Sequence, residues 1–189
     1  MIKIGILGDI GSGKSFIAKC FGFPVFNADN EVSNIYKRNK KTFSKLKKVL
    51  PNYIISYPIK KTEITKAILA NDNNLKKIVK VVHLEIRKKM NRFLKKNKNR
   101  KIVILDIPLL LENKINKKKD ILVFVQSKKN DILKRLKKRK NFNKNLYYKF
   151  KKIQLPLEYK KKKSKFIIKN NFTIKSVKKE INDILKQIL

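Results

Sequence analysis

Eight residues near the start, Gly8-Asp9-Ile10-Gly11-Ser12-Gly13-Lys14-Ser15, constrain this chain more than any other stretch. They fit the pattern G-x-x-x-x-G-K-[ST] in full. A short apolar run, Ile2–Leu7, precedes them and a helical pattern, Ser15–Phe21, follows. Strand, glycine-rich turn and helix together form a loop whose backbone N–H groups converge on phosphate oxygens. The helix adds the positive end of its dipole. In that setting Lys14 reaches the β- and γ-phosphates of a nucleotide, and the Ser15 hydroxyl is a ligand for Mg²⁺. Gly8, Ile10, Gly11, Ser12, Gly13, Lys14, Ser15 and Phe16 are therefore the candidate ATP-binding residues of this segment. Asp9 is an acid inside a loop meant for anions. It is expected to point outward, since facing the phosphates it would weaken nucleotide binding.

All five glycines lie within the first 22 residues, in a composition that otherwise drives glycine out. Lys, Ile and Asn make up 91 of the 189 residues. Those types are read from A/T-rich codons, so the net charge of +38 reads first as compositional drift. A nucleic-acid surface is the competing explanation, but the basic residues are scattered and form no dense tail. A chain of this length suits one compact domain with a full core. Its 42% apolar content argues against disorder. The single cysteine, Cys20, excludes a disulfide framework or cysteine-based zinc site and fits a reducing cytosol, so a cytoplasmic protein is expected. The best apolar run, Ile102–Leu111, is interrupted by Asp106 and Pro108 and falls short of the ~20 residues of a membrane span. No signal peptide is expected, because Met1–Leu7 runs straight into the glycine-rich loop.

Further buried strands are expected at Pro24–Asn27, Lys101–Leu105 ending at Asp106, Asp120–Val125 and Phe166–Lys169. Asn30–Asn99 reads as mostly helical, with breaks near Pro51–Pro58 and Asn71–Asn74. Asn130–Lys163 is basic and helical, interrupted near Asn141–Asn145. Ser176–Leu189 is an amphipathic helix with Val177, Ile181, Ile184, Leu185 and Ile188 on one face. Strands alternating with helices predict an α/β fold, a parallel sheet covered on both faces.

Among proteins with such a loop, a GTPase needs D-x-x-G downstream, and no glycine follows Gly22. Asn116-Lys117-Lys118-Lys119-Asp120 is one residue too long for N-K-x-D and precedes a strand. The chain is short for a motor or transporter ATPase. A small kinase is left, transferring phosphoryl from ATP to a small acceptor.

Ligands in an open parallel sheet gather at the carboxyl ends of strands. Asp29 and Asp106 stand there. Such a kinase needs one acid beside the acceptor hydroxyl and benefits from one near Mg²⁺, often through water. Either Asp could instead cap a helix. His83 is the only histidine, and Arg87 is four residues on, on the same helical side. Arg135 and Arg139 repeat that spacing in a segment able to close over ATP, where a guanidinium would neutralise the transferred phosphoryl group. A solvated helix face explains the spacing equally well.

In these residues the sequence resembles the dephospho-CoA kinase family along nearly its whole length. Ile4–Ser15 looks like the family's opening strand and loop. Asn27-Ala28-Asp29 sits where the family carries D-A-D, aligning Asp29 with the second Asp, the proposed base. His83-Leu84-Glu85-Ile86-Arg87 is similar to H-P-x-[IV]-R, and Asp106-Ile107-Pro108-Leu109-Leu110-Leu111-Glu112 to D-[IV]-P-L-L-[FL]-E. Arg135–Arg139 resembles the lid R-[LM]-x-x-R, and Gln154–Lys160 resembles Q-[LM]-[PS]-x-E-x-K. Asn170 falls where a late Asn helps to hold the adenine side. The departures are Asn27 for Asp, Leu84 for Pro, Leu7 and Asp9 for Thr and Gly, Phe16 for Thr, and Lys140-Asn141-Phe142 in place of a D-G turn. They bear on turnover and lid geometry more than on identity.

The resemblance implies ATP-dependent phosphorylation of the ribose 3′-hydroxyl of dephospho-CoA to give CoA. It implies a three-layer α/β/α P-loop kinase fold around a five-stranded parallel sheet. The single domain then divides into a core (1–29, 101–130, 164–189), a helical CoA-binding insertion (30–100) and a lid (131–163). Lys14, Asp29 and Arg139 carry catalysis in this reading. Arg135 and Asn170 join the ATP site. Asp29, His83, Arg87, Asp106, Pro108, Leu109, Leu110 and Glu112 line the acceptor site, and Ser15 and Asp106 hold Mg²⁺. The partners are ATP and dephospho-CoA, with no specific nucleic acid and no membrane. A monomer is expected and an oligomer left open. Another small-molecule or nucleotide kinase of the same fold, and a nucleic-acid-binding ATPase, stand as the alternatives.

Overall fold

The computed structural model describes residues 1–139 and 142–189, so Lys140 and Asn141, in the turn expected within a lid, lie outside the described residues. Two compact units are formed. The first comprises Met1–Asn27, Asn97–Phe142 and Ile153–Leu189, and the second Ala28–Lys96 and Asn143–Lys152.

The first unit is built on five strands: β1 (Ile2–Gly8), β2 (Val25–Asn27), β3 (Ile102–Asp106), β4 (Ile121–Gln126) and β5 (Phe166–Lys169). Each lies within one residue of the run that predicts it. They pair in the order β2-β3-β1-β4-β5 and every pairing is parallel. The apolar runs are long enough to be buried on both faces, as a parallel sheet demands. Ile4, Ile6, Ile102, Ile104, Val123, Val125 and Ile168 point to one face. There they meet Ile17, Ala18 and Phe21, on and just past α1 (Lys14–Cys20), and Val177, Ile181 and Ile184 of α9 (Ile174–Ile188). Burying each such aliphatic side chain stabilises the fold by roughly 1.5–3 kcal/mol. On the other face α8 (Leu157–Lys163) lies against β1 and β4. Leu110 and Leu122 pack there so closely on Gly5 that a methyl group at Gly5 would come within 2.5 Å of Leu110 Cδ2. The chain passes from β1 to β2 and β3 on one side and returns to β4 and β5 on the other. The strand order therefore reverses at β1, and the crevice at its carboxyl end holds the glycine-rich loop.

The second unit is helical: α2 (Ala28–Arg38), α3 (Lys40–Val49), α4 (Lys61–Ala70), α5 (Asp72–Lys96) and α7 (Lys144–Lys152). It thus takes in Asn143–Lys152, from within the stretch expected as a lid. A buried stripe of Leu75, Ile78, Val82, Ile86 and Met90 runs along α5 at helical spacing. Two expected boundaries shift. A break falls at Asn39, whose side chain accepts the Thr42 amide at 2.9 Å and caps α3. The break expected over Asn71–Asn74 shrinks, because Asp72 already begins α5 and Asn74 donates to the Ala67 carbonyl at 2.9 Å. The asparagines that read as loop residues serve as caps and cross-links between turns. Among the described residues no helix is long and apolar enough to cross a membrane.

Candidate active site

The loop between β1 and α1 is fixed from three sides. The Ser12 carbonyl accepts from Ser127 Oγ at 2.9 Å and from Asn170 Nδ2 at 2.8 Å. Gly11 has φ +85, and a Cβ there would lie 3.0 Å from Ile132 and Leu136 of α6 (Lys129–Lys137). Gly13, at φ +92, leaves no room for a side chain beside the Asn170 amide. Both positions thus require glycine twice over, for conformation and for space. Gly13 also caps α1 without a side-chain acceptor.

Within this loop Lys14 Nζ donates to the carbonyls of Asp9 at 2.6 Å and Gly8 at 3.2 Å. The Asp9 carboxylate is engaged by its own neighbour, accepting from the Ile10 amide at 2.7 Å. Ser15 is exposed in the first turn of α1. Phe16 is half-buried and packs on the core, so its side chain supports the helix.

Asp106 ends β3, opposite Asn27 at the end of β2. It is 2% exposed, and its Oδ2 accepts from Asn27 Nδ2 at 2.5 Å. A carboxylate this buried requires such a donor. Among the described residues no three His, Cys, Asp or Glu side chains gather as a protein-only metal site. The oxygen donors Ser15 and Asp106 suit Mg²⁺, which keeps few protein ligands and relies on phosphates for the rest.

Beyond Asp106, Pro108 and Leu109 are half-buried. Leu110, expected to line the acceptor site, is fully buried and packs against Gly5. Glu112 is tied to the rest of the chain. Its Oε1 pairs with Lys160 Nζ at 2.7 Å and accepts from the Leu155 amide at 3.0 Å. Lys160 is 1% exposed and also donates to Gln154 Oε1 at 3.2 Å. The carboxylate therefore anchors the segment after β3 to the chain entering α8, with only Oε2 unpartnered.

Arg135 is exposed on α6 with its guanidinium 4.2 Å above the centre of the Phe172 ring. Arg139 lies just beyond α6, also exposed. Asn170 is buried, its Nδ2 on Ser12 and its Oδ1 on the Phe172 amide, so it acts on the loop and on the turn after β5. The structure thus brings Lys14, Ser12, Asn170, Arg135 and Asp106 into the first unit.

In the second unit Asp29 is exposed in the first turn of α2. His83 and Arg87 lie one turn apart on α5. Burial, helped by the Arg87 charge, holds the His83 pKa below its ordinary 6.5, and its Nε2 is buried without a partner. Nearby Glu85 is paired with Lys88 at 3.0 Å, and that hydrogen bond lowers its pKa. The Asn116–Asp120 stretch is structural: Asp120 accepts from the Lys117 amide at 2.8 Å and pairs with Lys3 at 3.7 Å. Ser127 and Phe172 escaped the sequence reading. A serine after a strand carries no signature, and the Phe172 backbone adopts a conformation that glycine would announce and phenylalanine does not.

The dephospho-CoA kinase family model matches residues 2–176. A dephospho-CoA kinase of Wolbachia pipientis is 39% identical over 129 residues, 66% of this chain and 66% of that protein, so the match spans just under two thirds of the relative. Two solved structures share the fold. A Thermus thermophilus protein, TT1252, superposes with a TM-score of 0.80 at 23% identity, covering 100% of this chain and 98% of its own. The dephospho-CoA kinase of Campylobacter jejuni gives 0.63 at 21% identity, covering 98% and 96%. The phosphate loop, Asp106 and Lys160 all fall inside the stretch that the family model describes, and on that match the chain belongs to the dephospho-CoA kinase family.

Proposed function

We propose that this chain transfers the γ-phosphoryl group of ATP to the ribose 3′-hydroxyl of dephospho-CoA, giving CoA and ADP. The observation that carries the reading is a complete phosphate loop beside a buried aspartate at the end of the neighbouring strand, in a chain of this family. Lys14 and the loop amides hold the β- and γ-phosphates. Ser15 and Asp106 would hold Mg²⁺, which would supply neutralisation of phosphate charge. Asp29 accepts the 3′-hydroxyl proton as that oxygen bonds to the γ-phosphorus and the bond to the ADP oxygen breaks. Arg139, aided by Arg135, stabilises charge on the transferred group. His83, Arg87, Pro108 and Leu109 bind the acceptor, with Glu112 and Leu110 supporting that segment from beneath. The helical insertion takes CoA and the segment from residue 131 to 163 acts as a lid.

An ADP-release assay with dephospho-CoA beside nucleoside monophosphates tests the acceptor. ADP release stimulated only by dephospho-CoA is the expected result. Stimulation by a nucleoside monophosphate alone would make this another kinase of the same fold, and hydrolysis stimulated by nucleic acid at physiological salt would make it a different class of ATPase.

A further inference from the structure

We infer that Asp9 makes the phosphate loop selective for charge: its carboxylate repels a bare polyphosphate and so favours a triphosphate whose charge a divalent cation has already reduced. The inference rests on the reading of Gly8–Ser15 as a nucleotide loop and deepens it.

Asp9 is one of 13 acids in a chain with 51 Lys and Arg, and it stands inside the loop that receives anions. Its backbone is pinned there. The Asp9 carbonyl accepts from the Ser12 amide at 3.2 Å, closing the turn, and from Lys14 Nζ at 2.6 Å. The side chain is half-buried and folds back on the loop, with Oδ1 accepting from the Ile10 amide at 2.7 Å. The sequence alone predicts a carboxylate turned away from the loop; in the structure it occupies one of the loop's own N–H groups. A fixed negative charge thus lies within one residue's reach of the Lys14 ammonium proposed to hold the β- and γ-phosphates.

Coulomb repulsion between this charge and a ligand grows in proportion to the ligand's own charge. A divalent cation cancels about half of the charge of ATP, so Asp9 penalises the metal-free form about twice as strongly. Lys14 and the net charge of +38 draw in both forms. Attraction alone therefore leaves the loop open to any polyphosphate, and discrimination needs a repulsive group. Asp9 supplies it at the point where the phosphates arrive.

Calorimetry on the full chain compares the parent with Asp9→Asn, which keeps an oxygen for the Ile10 amide and removes only the charge. In EDTA, Asp9→Asn is expected to bind ATP and inorganic tripolyphosphate roughly tenfold more tightly than the parent does. With excess Mg²⁺ the gain for ATP is expected to shrink to about threefold, because halving the ligand charge halves the logarithm of the effect. Asp9→Ala, which also releases the Ile10 amide, is expected to show the same narrowing. A merely structural role would shift the metal-free and metal-bound affinities by one factor. An equal gain for both forms, no gain, or a loss would each overturn the inference. Failure of the parent chain to bind ATP with or without Mg²⁺ would instead overturn the nucleotide-loop reading beneath it.

Discussion

Asn27 donates its side-chain amide to the Asp106 carboxylate at 2.5 Å, between the ends of the adjacent parallel strands β2 and β3. The family pattern has a second carboxylate at this position. An amide there removes charge repulsion from a buried site and supplies a donor to an acid that is 2% exposed. Asn27→Asp restores the pair, and one of two touching carboxylates must then hold a proton in the folded state. Its pKa is raised by folding, so the variant keeps its stability at low pH and loses it as pH rises through that value. Urea denaturation of both proteins at pH 5 and pH 8, without metal, is expected to show the larger deficit at pH 8. An equal deficit at the two values would refute the repulsion argument.

The buried Lys160–Glu112 pair makes a second test. Lys160→Met leaves the Glu112 carboxylate 9% exposed with no cation, a loss expected to cost about 3–5 kcal/mol. Adding Glu112→Leu removes the stranded charge and is expected to restore most of that stability. Equilibrium denaturation of the single and double variants measures the difference. A double variant as unstable as the single one would mean that packing, not charge, carries the penalty.

Asp29 and Lys14 separate along different lines. Asp29→Asn is expected to lower phosphoryl transfer by roughly 10²–10⁴-fold while ATP binds with little change. Lys14→Ala is expected to lower kcat by about 10²–10³-fold, through lost stabilisation of developing phosphate charge. Single-turnover rates beside calorimetric ATP affinities distinguish the two. Near-normal turnover in the Asp29 variant would remove it as the base.

His83 gives a pH signature in stability. Folding lowers its pKa below 6.5, so the unfolded chain binds the proton more readily. The stability tied to neutral His83 is complete above the unfolded value and is lost as pH falls through the folded one. His83→Gln is therefore expected to gain on the parent protein as pH drops from about 7 to 5. Parallel melting curves across that range check the sign, and a constant difference would contradict it.

The strands were legible because each is a continuous apolar run bounded by polar residues, and the phosphate loop because only glycine satisfies Gly11 and Gly13. The acid at the end of β3 was legible for the same reason, as a lone carboxylate closing an apolar run. What sequence conceals is partnership. Among 45 lysines nothing marks Lys160 as buried, since its role depends on Glu112 and Gln154 from elsewhere in the chain. Asn39 reads like any other of 20 asparagines until its side chain meets the Thr42 amide. Phe172 takes its backbone geometry from Asn170, two residues earlier, and no residue pattern of its own signals it.

The Ser12 carbonyl is a shared acceptor, joined to Ser127 after β4 and to Asn170 after β5. Coupling of this kind is reciprocal. A nucleotide at the phosphate loop is expected to steady the outermost strand of the sheet as well, more than 150 residues later in sequence. Amide hydrogens of β5 should exchange more slowly when the loop is occupied, although no ligand atom need touch them. On that expectation the exposed edge of the sheet would register, at a distance, whether the phosphate site is filled.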